Sequence, residues 1–317
     1  MNKTYLVTGG TGFIGSSIVK KLLSLKKNVI VFDNNQRGDV NRLAGLGSKL
    51  KFIKGDIRIF KDLNKIPKNI DCILHLAYVN GTENFYTKPY EVLDIGVKGM
   101  VNILDFAIKN SIKNFVLFSS SEVYQNPKQI PTPEKVEMVI PNVMNPRYCY
   151  GGGKIISELM AVNYGKKYFK RLLVIRPHNV YGPDMGNHHV IPQIVSKLIF
   201  KIKQNNVNLK IQGTGKETRS FIYIDDFVDA FLAILNKGKH LEIYNIGNND
   251  EIKISSLAKI IANKIGINIK INIGKLKLGS PLRRCPSIIK IKKLGYKQKI
   301  NLSEGLDNVI DWHQSNK

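Results

Sequence analysis

Cysteine is scarce in this 317-residue chain: Cys72, Cys149 and Cys285 are three in number and far apart. They make no disulfide framework, which points to a reducing compartment. Long apolar runs are missing too. No stretch approaches the roughly 20 residues that a membrane span requires, and MNKTYLVTGG enters a strand pattern with no charged n-region, apolar h-region or cleavage site. The expectation is a soluble, cytoplasmic protein with no membrane partner. Metal ligands are thin: there are six histidines, and the pair His188-His189 has no Cys, His or acidic partner at ligand spacing. No metal is expected, and the pair reads as a loop element near substrate. Negative charge is short as well, with 24 Asp+Glu against 49 Lys+Arg and a formal net charge of +25. That balance invites a nucleic-acid reading. The lysines, however, are scattered singly and in pairs among many Asn and Ile, and no aromatic platform accompanies them. A solvated basic surface and an acidic small-molecule substrate fit better than nucleic acid.

What remains is globular. The chain is 43% hydrophobic and 9% aromatic, which excludes disordered, collagen-like and coiled-coil classes. Strand-length apolar runs alternate with segments of helical spacing. Strands are expected at Lys3–Thr8, Asn28–Asp33, Lys51–Lys54, Asp71–Ala77, Asn114–Ser119 and Arg171–Arg176, with helices over Phe13–Leu25, Pro89–Asn110 and Tyr150–Tyr168. This is the rhythm of a doubly wound, parallel α/β sheet covered by helices on both faces. Past Pro177 it loosens, and a helix at Asp225–Leu235 and a strand at Glu242–Gly247 return to the sheet. Residues 1–177, with 222–248, therefore read as a dinucleotide-binding domain. Residues 178–221 and 249–317 read as a smaller C-terminal substrate-binding lobe, with the ligand cleft between the two.

Thr8-Gly-Gly-Thr-Gly-Phe-Ile-Gly15 follows the first strand and opens the first helix. Gly9 or Gly10, Gly12 and Gly15 permit a tight turn, close approach of the backbone to a pyrophosphate, and close packing of helix on strand. The helix N-terminus then faces the phosphates, the Rossmann arrangement. Asp33 ends the second strand, where a carboxylate accepts from a ribose 2′-OH and repels a 2′-phosphate, favouring NAD over NADP. Arg37 nearby runs against that choice. Asp56, after the third strand, either meets the adenine or is a loop carboxylate.

Tyr150 and Lys154 stand four apart and share a helix face. An ammonium beside a phenol favours the phenolate, and a tyrosine so tuned removes a proton from a sugar hydroxyl. Phe118-Ser-Ser-Ser-Glu-Val-Tyr124 brings hydroxyls and a carboxylate to the end of the preceding strand.

Together TGGTGFIG, the strand-end Ser run and Tyr-x-x-x-Lys resemble the extended short-chain dehydrogenase/reductase family of nucleotide-sugar epimerases, dehydratases and decarboxylases. The resemblance continues through Arg176-Pro-His-Asn-Val-Tyr-Gly-Pro183, Gly213–Phe221, Tyr244-Asn-Ile-Gly247 and Arg284–Lys290. It implies that Tyr150 is the general base, Lys154 its activator and ribose clamp, and Ser120 the hydroxyl that positions the sugar O4. It also implies that Gly9, Gly12, Phe13, Ile14, Gly15, Asp33, Asn34, Asp56, Ile57, Leu76 and Ala77 line NAD. Asn179, Arg219 and Arg284 would hold the nucleotide diphosphate, for which forked guanidiniums suit. The resemblance also makes Thr82 and Ser121 candidate substrate contacts, with Glu83 and Tyr86 candidates in the same loop as Thr82. A homodimer through the Pro89–Asn110 and Tyr150–Tyr168 helices is a family-level expectation.

Glu122 resembles the Glu of UDP-glucuronate decarboxylases and GDP-mannose 4,6-dehydratases, and Arg147-Tyr-Cys-Tyr-Gly-Gly-Gly-Lys154 resembles the decarboxylases' Arg-x-Cys-Tyr-x-x-Gly-Lys. The function implied is transient C4 oxidation followed by 4,6-elimination or decarboxylation. A nucleotide-sugar 4-epimerase with a structural Glu122 is the alternative, and a silent NAD-binding module the remote one. Departures from the pattern are Gln125 where Gly is usual, Ile211-Gln212 in place of a Val-aromatic pair, and Gly151-Gly152-Gly153, whose missing side chains suggest room for a bulky sugar.

Overall fold

A computed structural model describes residues 3–204 and 206–316. The chain divides into two compact units: Met1–Val123 with Met138–Pro177 and Phe231–Tyr244, and Tyr124–Glu137 with His178–Ala230 and Asn245–Lys317. Residues 124–137 thus leave the first unit between the strand-end Ser run and the Tyr150 helix.

The first unit begins β1 (Thr4–Thr8), α1 (Phe13–Ser24), β2 (Asn28–Asp33), β3 (Leu50–Lys54) and α2 (Phe60–Leu63). It continues through β4 (Cys72–His75), α3 (Thr82–Thr87), α4 (Pro89–Lys109), β5 (Asn114–Phe118), α5 (Tyr148–Tyr168) and β6 (Arg171–Pro177). With the strand Glu242–Ile246 outside β6, they form a seven-stranded sheet in the order Glu242–Ile246, β6, β5, β4, β1, β2, β3. Strands β1 to β6 run parallel. A strand buried on both faces reads as a continuous apolar run rather than an alternation, as in Tyr5-Leu-Val7 and Ile73-Leu74. The chain order reverses between β1 and β4, and a sheet of this kind opens a ligand crevice at the carboxyl ends of such strands. Helices α4 and α5 pack against each other. Leu6, Phe32, Ile73, Phe115 and Leu117 of the sheet join Met100, Ile103 and Ala107 of α4 and Ala161 of α5 in one buried cluster.

Two local differences from the sequence expectation matter. Thr82–Thr87, expected as loop, is a helical turn. Six residues after Gly81 at φ +116° are too short to display a helical period. Gly151, Gly152 and Gly153 sit inside a 21-residue helix although each costs roughly 1 kcal/mol of helix propensity against Ala. All three are buried, so packing decides the conformation there.

The second unit is built from shorter pieces. Thr218–Ser220 pairs antiparallel with Glu251–Lys253 and parallel with Arg283–Arg284. Asn206–Ile211 pairs parallel with Asn268–Ile273, and helices Val190–Phe200, Ile254–Ile265 and Leu302–Ser315 pack together. Gln125 has φ +52°, a backbone conformation that explains why glycine is usual there.

Candidate active site

The cofactor end is set by backbone geometry. Gly9 has φ +73°, and a Cβ there would lie 2.7 Å from the Ala77 nitrogen; one on Gly15 would lie 2.2 Å from the Gly9 carbonyl oxygen. Helix α1 starts directly after Gly12 with no side-chain cap, so its first-turn N–H groups are not taken up by a capping oxygen and suit an anion. Side chains would fill this cradle, and glycine keeps it open: the residues present fit a dinucleotide diphosphate. Phe13 and Ile14 are half-buried at the helix start, and Leu76 and Ala77 half-buried after β4.

Asp33 is fixed by accepting from the Thr11 N–H at 3.0 Å and the Asn35 N–H at 2.9 Å. Asn34 donates to Asp56 at 3.2 Å, and Arg58 forks onto Asp56 with its closest contact at 2.7 Å while reaching Asp94 at 3.5 Å. Burial alone would raise the Asp56 carboxyl, but Arg58 and Asn34 outweigh it and hold it below the ordinary carboxylate range. Ile57, expected to line the cofactor, follows Asp56 directly. Its side chain is in the core, 6% exposed, and fills the groove left by Gly99, while its carbonyl accepts from Asn102.

Strand β5 and helix α5 carry the candidate catalytic residues. Lys154 is 2% exposed, and its ammonium donates to the Phe118 carbonyl at 2.6 Å. Burial pulls its pKa down to about 7, with Glu158 one helical turn on pulling the other way. Tyr150 is held between rings: Phe85 of α3 stacks on it at 5.0 Å and Tyr78 meets it edge-on at 5.0 Å. In the Ser run, Ser119 donates to the buried Glu158, whose carboxylate is paired with Arg176 at 2.6 Å. Ser119 is thereby committed to the framework. The Ser120 hydroxyl accepts from the Glu122 N–H at 3.1 Å, and Ser121 is buried beside it. Glu122 lies across from Arg147, whose Nη2 is 3.3 Å from both carboxylate oxygens. Tyr86 of α3 is within electrostatic reach of that pair and, raised chiefly by burial, stays a neutral phenol. Thr82 opens α3 and Glu83 follows it.

Two neighbours are chemically quiet. His75 bonds Thr8 Oγ1 at 2.8 Å, and burial with the Lys154 charge pushes its pKa to about 3, so it is neutral. Burial raises the Cys149 thiol to about 11, and its sulfur faces the Phe85 carbonyl.

The three anion-binding candidates of the second unit cluster. Arg219 and Arg284 are register partners on adjacent strands, and Asn179, at φ +40°, donates at 2.8 Å to the carbonyl of Ser220, the residue after Arg219. Arg219 also donates to the carbonyls of Thr218 and Pro281. No group of three or more potential metal ligands occurs among the described residues, and none of the described helices is long and apolar enough to cross a membrane.

Sequence reasoning passed over Tyr78, Phe85, Glu158 and the Arg58–Asp94 contact. Glu158 was within reach, since it stands four residues past Lys154 on the same face. The rings were not, because contact across a loop leaves no periodic trace. At Gly152 and Gly153 the room suggested for a bulky sugar is taken by the protein's own side chains. A Cβ on Gly153 would meet the Tyr78 hydroxyl oxygen at 2.0 Å, and one on Gly152 the Ile140 side chain at 3.2 Å.

The family model described as the NAD dependent epimerase/dehydratase family matches residues 5–247. A putative UDP-glucose 4-epimerase of Methanocaldococcus jannaschii is 34% identical over 98% of both chains. UDP-glucuronic acid decarboxylase 1 of Arabidopsis thaliana is 32% identical over 96% of this chain and 68% of its own length. Among solved structures, a dTDP-glucose 4,6-dehydratase from Streptomyces venezuelae with NAD and TYD bound superposes with a TM-score of 0.89 at 27% identity, covering 99% of this chain and 97% of that one.

Proposed function

The chain belongs to the NAD-dependent epimerase/dehydratase family, and from that premise we propose that it modifies the sugar of a nucleotide diphosphate sugar through transient oxidation at C4, followed by elimination or decarboxylation. NAD, when bound, supplies the acceptor for the sugar hydride and the means of returning it. The Gly9–Gly15 loop and the start of α1 would hold its diphosphate, and Asp33 its adenosine ribose. Tyr150 takes the proton from the O4 hydroxyl, Ser120 holds that oxygen, and the Lys154 charge stabilises the phenolate. A ketone at C4 acidifies C5 and lets a C5 carboxylate leave as CO2. Arg219, Arg284 and Asn179 anchor the nucleotide diphosphate.

The observation that carries the choice of reaction is the Glu122–Arg147 pair. A carboxylate and a guanidinium with side chains 14% and 5% exposed stand two residues from Ser120 and three from Tyr150. Keeping two charges so far from water is costly, and 4-epimerisation by itself calls for no charge next to the C4 machinery. Removing a C5 proton, or seating a carboxylate that departs, does. The second reading, 4-epimerisation, draws on the 34% identical relative; in it the pair is purely structural.

Mass spectrometry of UDP-, dTDP-, GDP- and CDP-sugars, including UDP-glucuronate, after incubation with enzyme and NAD separates the outcomes. Loss of water or of CO2 supports the proposal. An unchanged mass with a shifted retention time transfers the assignment to epimerisation. Turnover that survives Tyr150→Phe would remove Tyr150 from the mechanism. The same reading makes the protein a homodimer, because the α4–α5 pair leaves Tyr90, Leu93, Ile156 and Leu159 exposed to a degree (37–77%) that a second copy of the pair would cover.

A further inference from the structure

The loop after β4 drives one aromatic side chain between the two helices that carry the site. Tyr78 projects into a notch between α4 and α5 whose walls are glycines: a Cβ on Gly96 or on Gly153 would lie 2.0 Å from its hydroxyl oxygen. That oxygen is buried and has no hydrogen-bond partner among the described residues, which costs roughly 1–3 kcal/mol. Two helix-interior glycines and an unsatisfied hydroxyl are unfavourable features, and what they accommodate is the ring. The ring centroid lies 4.2 Å from the Lys154 ammonium, against 5.9 Å for the ring of Tyr150, while the Tyr78 and Tyr150 rings meet at an interplanar angle of 84°.

We propose that Tyr78 is a positioning residue for catalysis: its ring clamps the Lys154 ammonium by a cation–π contact, keeping it charged and aimed at Tyr150 in a place closed to water. A buried ammonium lacks hydration, and a π-face is one of the few neutral surfaces that stabilises it. The other groups around the amine do not substitute for it. Strand β5 offers the Phe118 carbonyl, which takes one N–H. Glu158 on α5 is shared with Arg176 and Ser119, His75 at the end of β4 is neutral, and Tyr150 on α5 is the group to be activated. With a pKa near 7, Lys154 is poised where a modest loss of stabilisation empties it of its proton at neutral pH. The role in catalysis rests on the function proposed above, but the contact itself does not.

The test replaces Tyr78 by phenylalanine and by mono-, di- and trifluorinated phenylalanines, a nearly isosteric series in which the π-face weakens stepwise. Lys154 is titrated directly by NMR of 13Cε-labelled lysine in the otherwise intact protein, assigned through Lys154→Met. The expected result is a Lys154 pKa that is the same in Tyr78→Phe as in the parent and falls stepwise with fluorination, on the order of one unit in total for a desolvated cation–π pair. A pKa that stays level or rises across the series overturns the proposal. Because the readout needs no substrate, a wrong assignment of the sugar leaves it intact, and a level titration refutes the clamp even in an active enzyme. Tyr78→Leu is informative only if folded; the fluorinated series keeps the proposal testable if it is not.

Discussion

At the residue scale the decisive quantity is the charge of Lys154. Its folded pKa of about 7 lies below the ordinary lysine value near 10.4, so between those limits the unfolded chain binds more protons than the folded one. Stability therefore rises with pH across that window, and the cost of burying the ammonium is carried in full below about pH 7. Lys154→Met removes that cost. Chemical denaturation is expected to show the variant more stable than the parent at pH 6, by a few kcal/mol, with the difference shrinking toward pH 10. A difference that does not vary with pH would mean that the amine is solvated. On the role proposed for Lys154, initial rates are expected to run the opposite way: the parent falls in activity as pH climbs past 7 and the charge beside Tyr150 is lost, and the variant is inactive throughout. The Tyr150–Lys154 pair was legible in the sequence because a four-residue spacing on a helix fixes which side chains share a face, and the serines because they close a strand-length apolar run. Tyr78 was not, since its Leu76-Ala77-Tyr78 context says nothing about which helices the loop crosses.

At the scale of elements, α5 is a helix with weak intrinsic propensity held by its surroundings. Gly153 is small because the Tyr78 hydroxyl is there, and the next atom of that ring, Cζ, would be 3.3 Å from a new Cβ. Gly153→Ala is expected to destabilise the protein by about 1–3 kcal/mol. In the Tyr78→Phe background, which deletes the clashing oxygen, the same change becomes near neutral or gains up to about 1 kcal/mol of helix propensity. Denaturant melts of the four proteins give the coupling, and additivity would show that the ring does not sit in the notch. The start of α5 at Tyr148 rather than Tyr150 and the short α3 were illegible for one reason: glycines and six-residue segments give no periodic signal, and burial decides them.

At the scale of the whole molecule, the +25 charge is carried by a surface of scattered lysines, while the charged pairs with structural weight, Glu158–Arg176 and Glu122–Arg147, are buried. Assembly is the property to test here. Light scattering at micromolar concentration is expected to report a dimer, and Leu159→Glu, a charge on the exposed α5 face, to report a monomer with unchanged secondary structure. A monomeric parent would end the homodimer reading and leave that apolar face to be explained otherwise.

The sequence alone determined the sheet, the glycine turn that opens α1 and the placing of Tyr150 and Lys154 on one helix face, because buried parallel strands, a glycine turn that opens a helix and an i,i+4 pair are local patterns with a single geometric outcome; the choice of Ser120 among the three serines rests on the family resemblance. Only the tertiary structure decided what surrounds them: the Ile57 side chain turned into the core, Ser119 taken by Glu158, Arg147 facing Glu122, and Tyr78 wedged against Lys154 in the space that glycines left. Those are contacts between residues 25 to 76 positions apart, and no spacing rule reaches that far, since they depend on how loops and helices pack once the strands have fixed their ends.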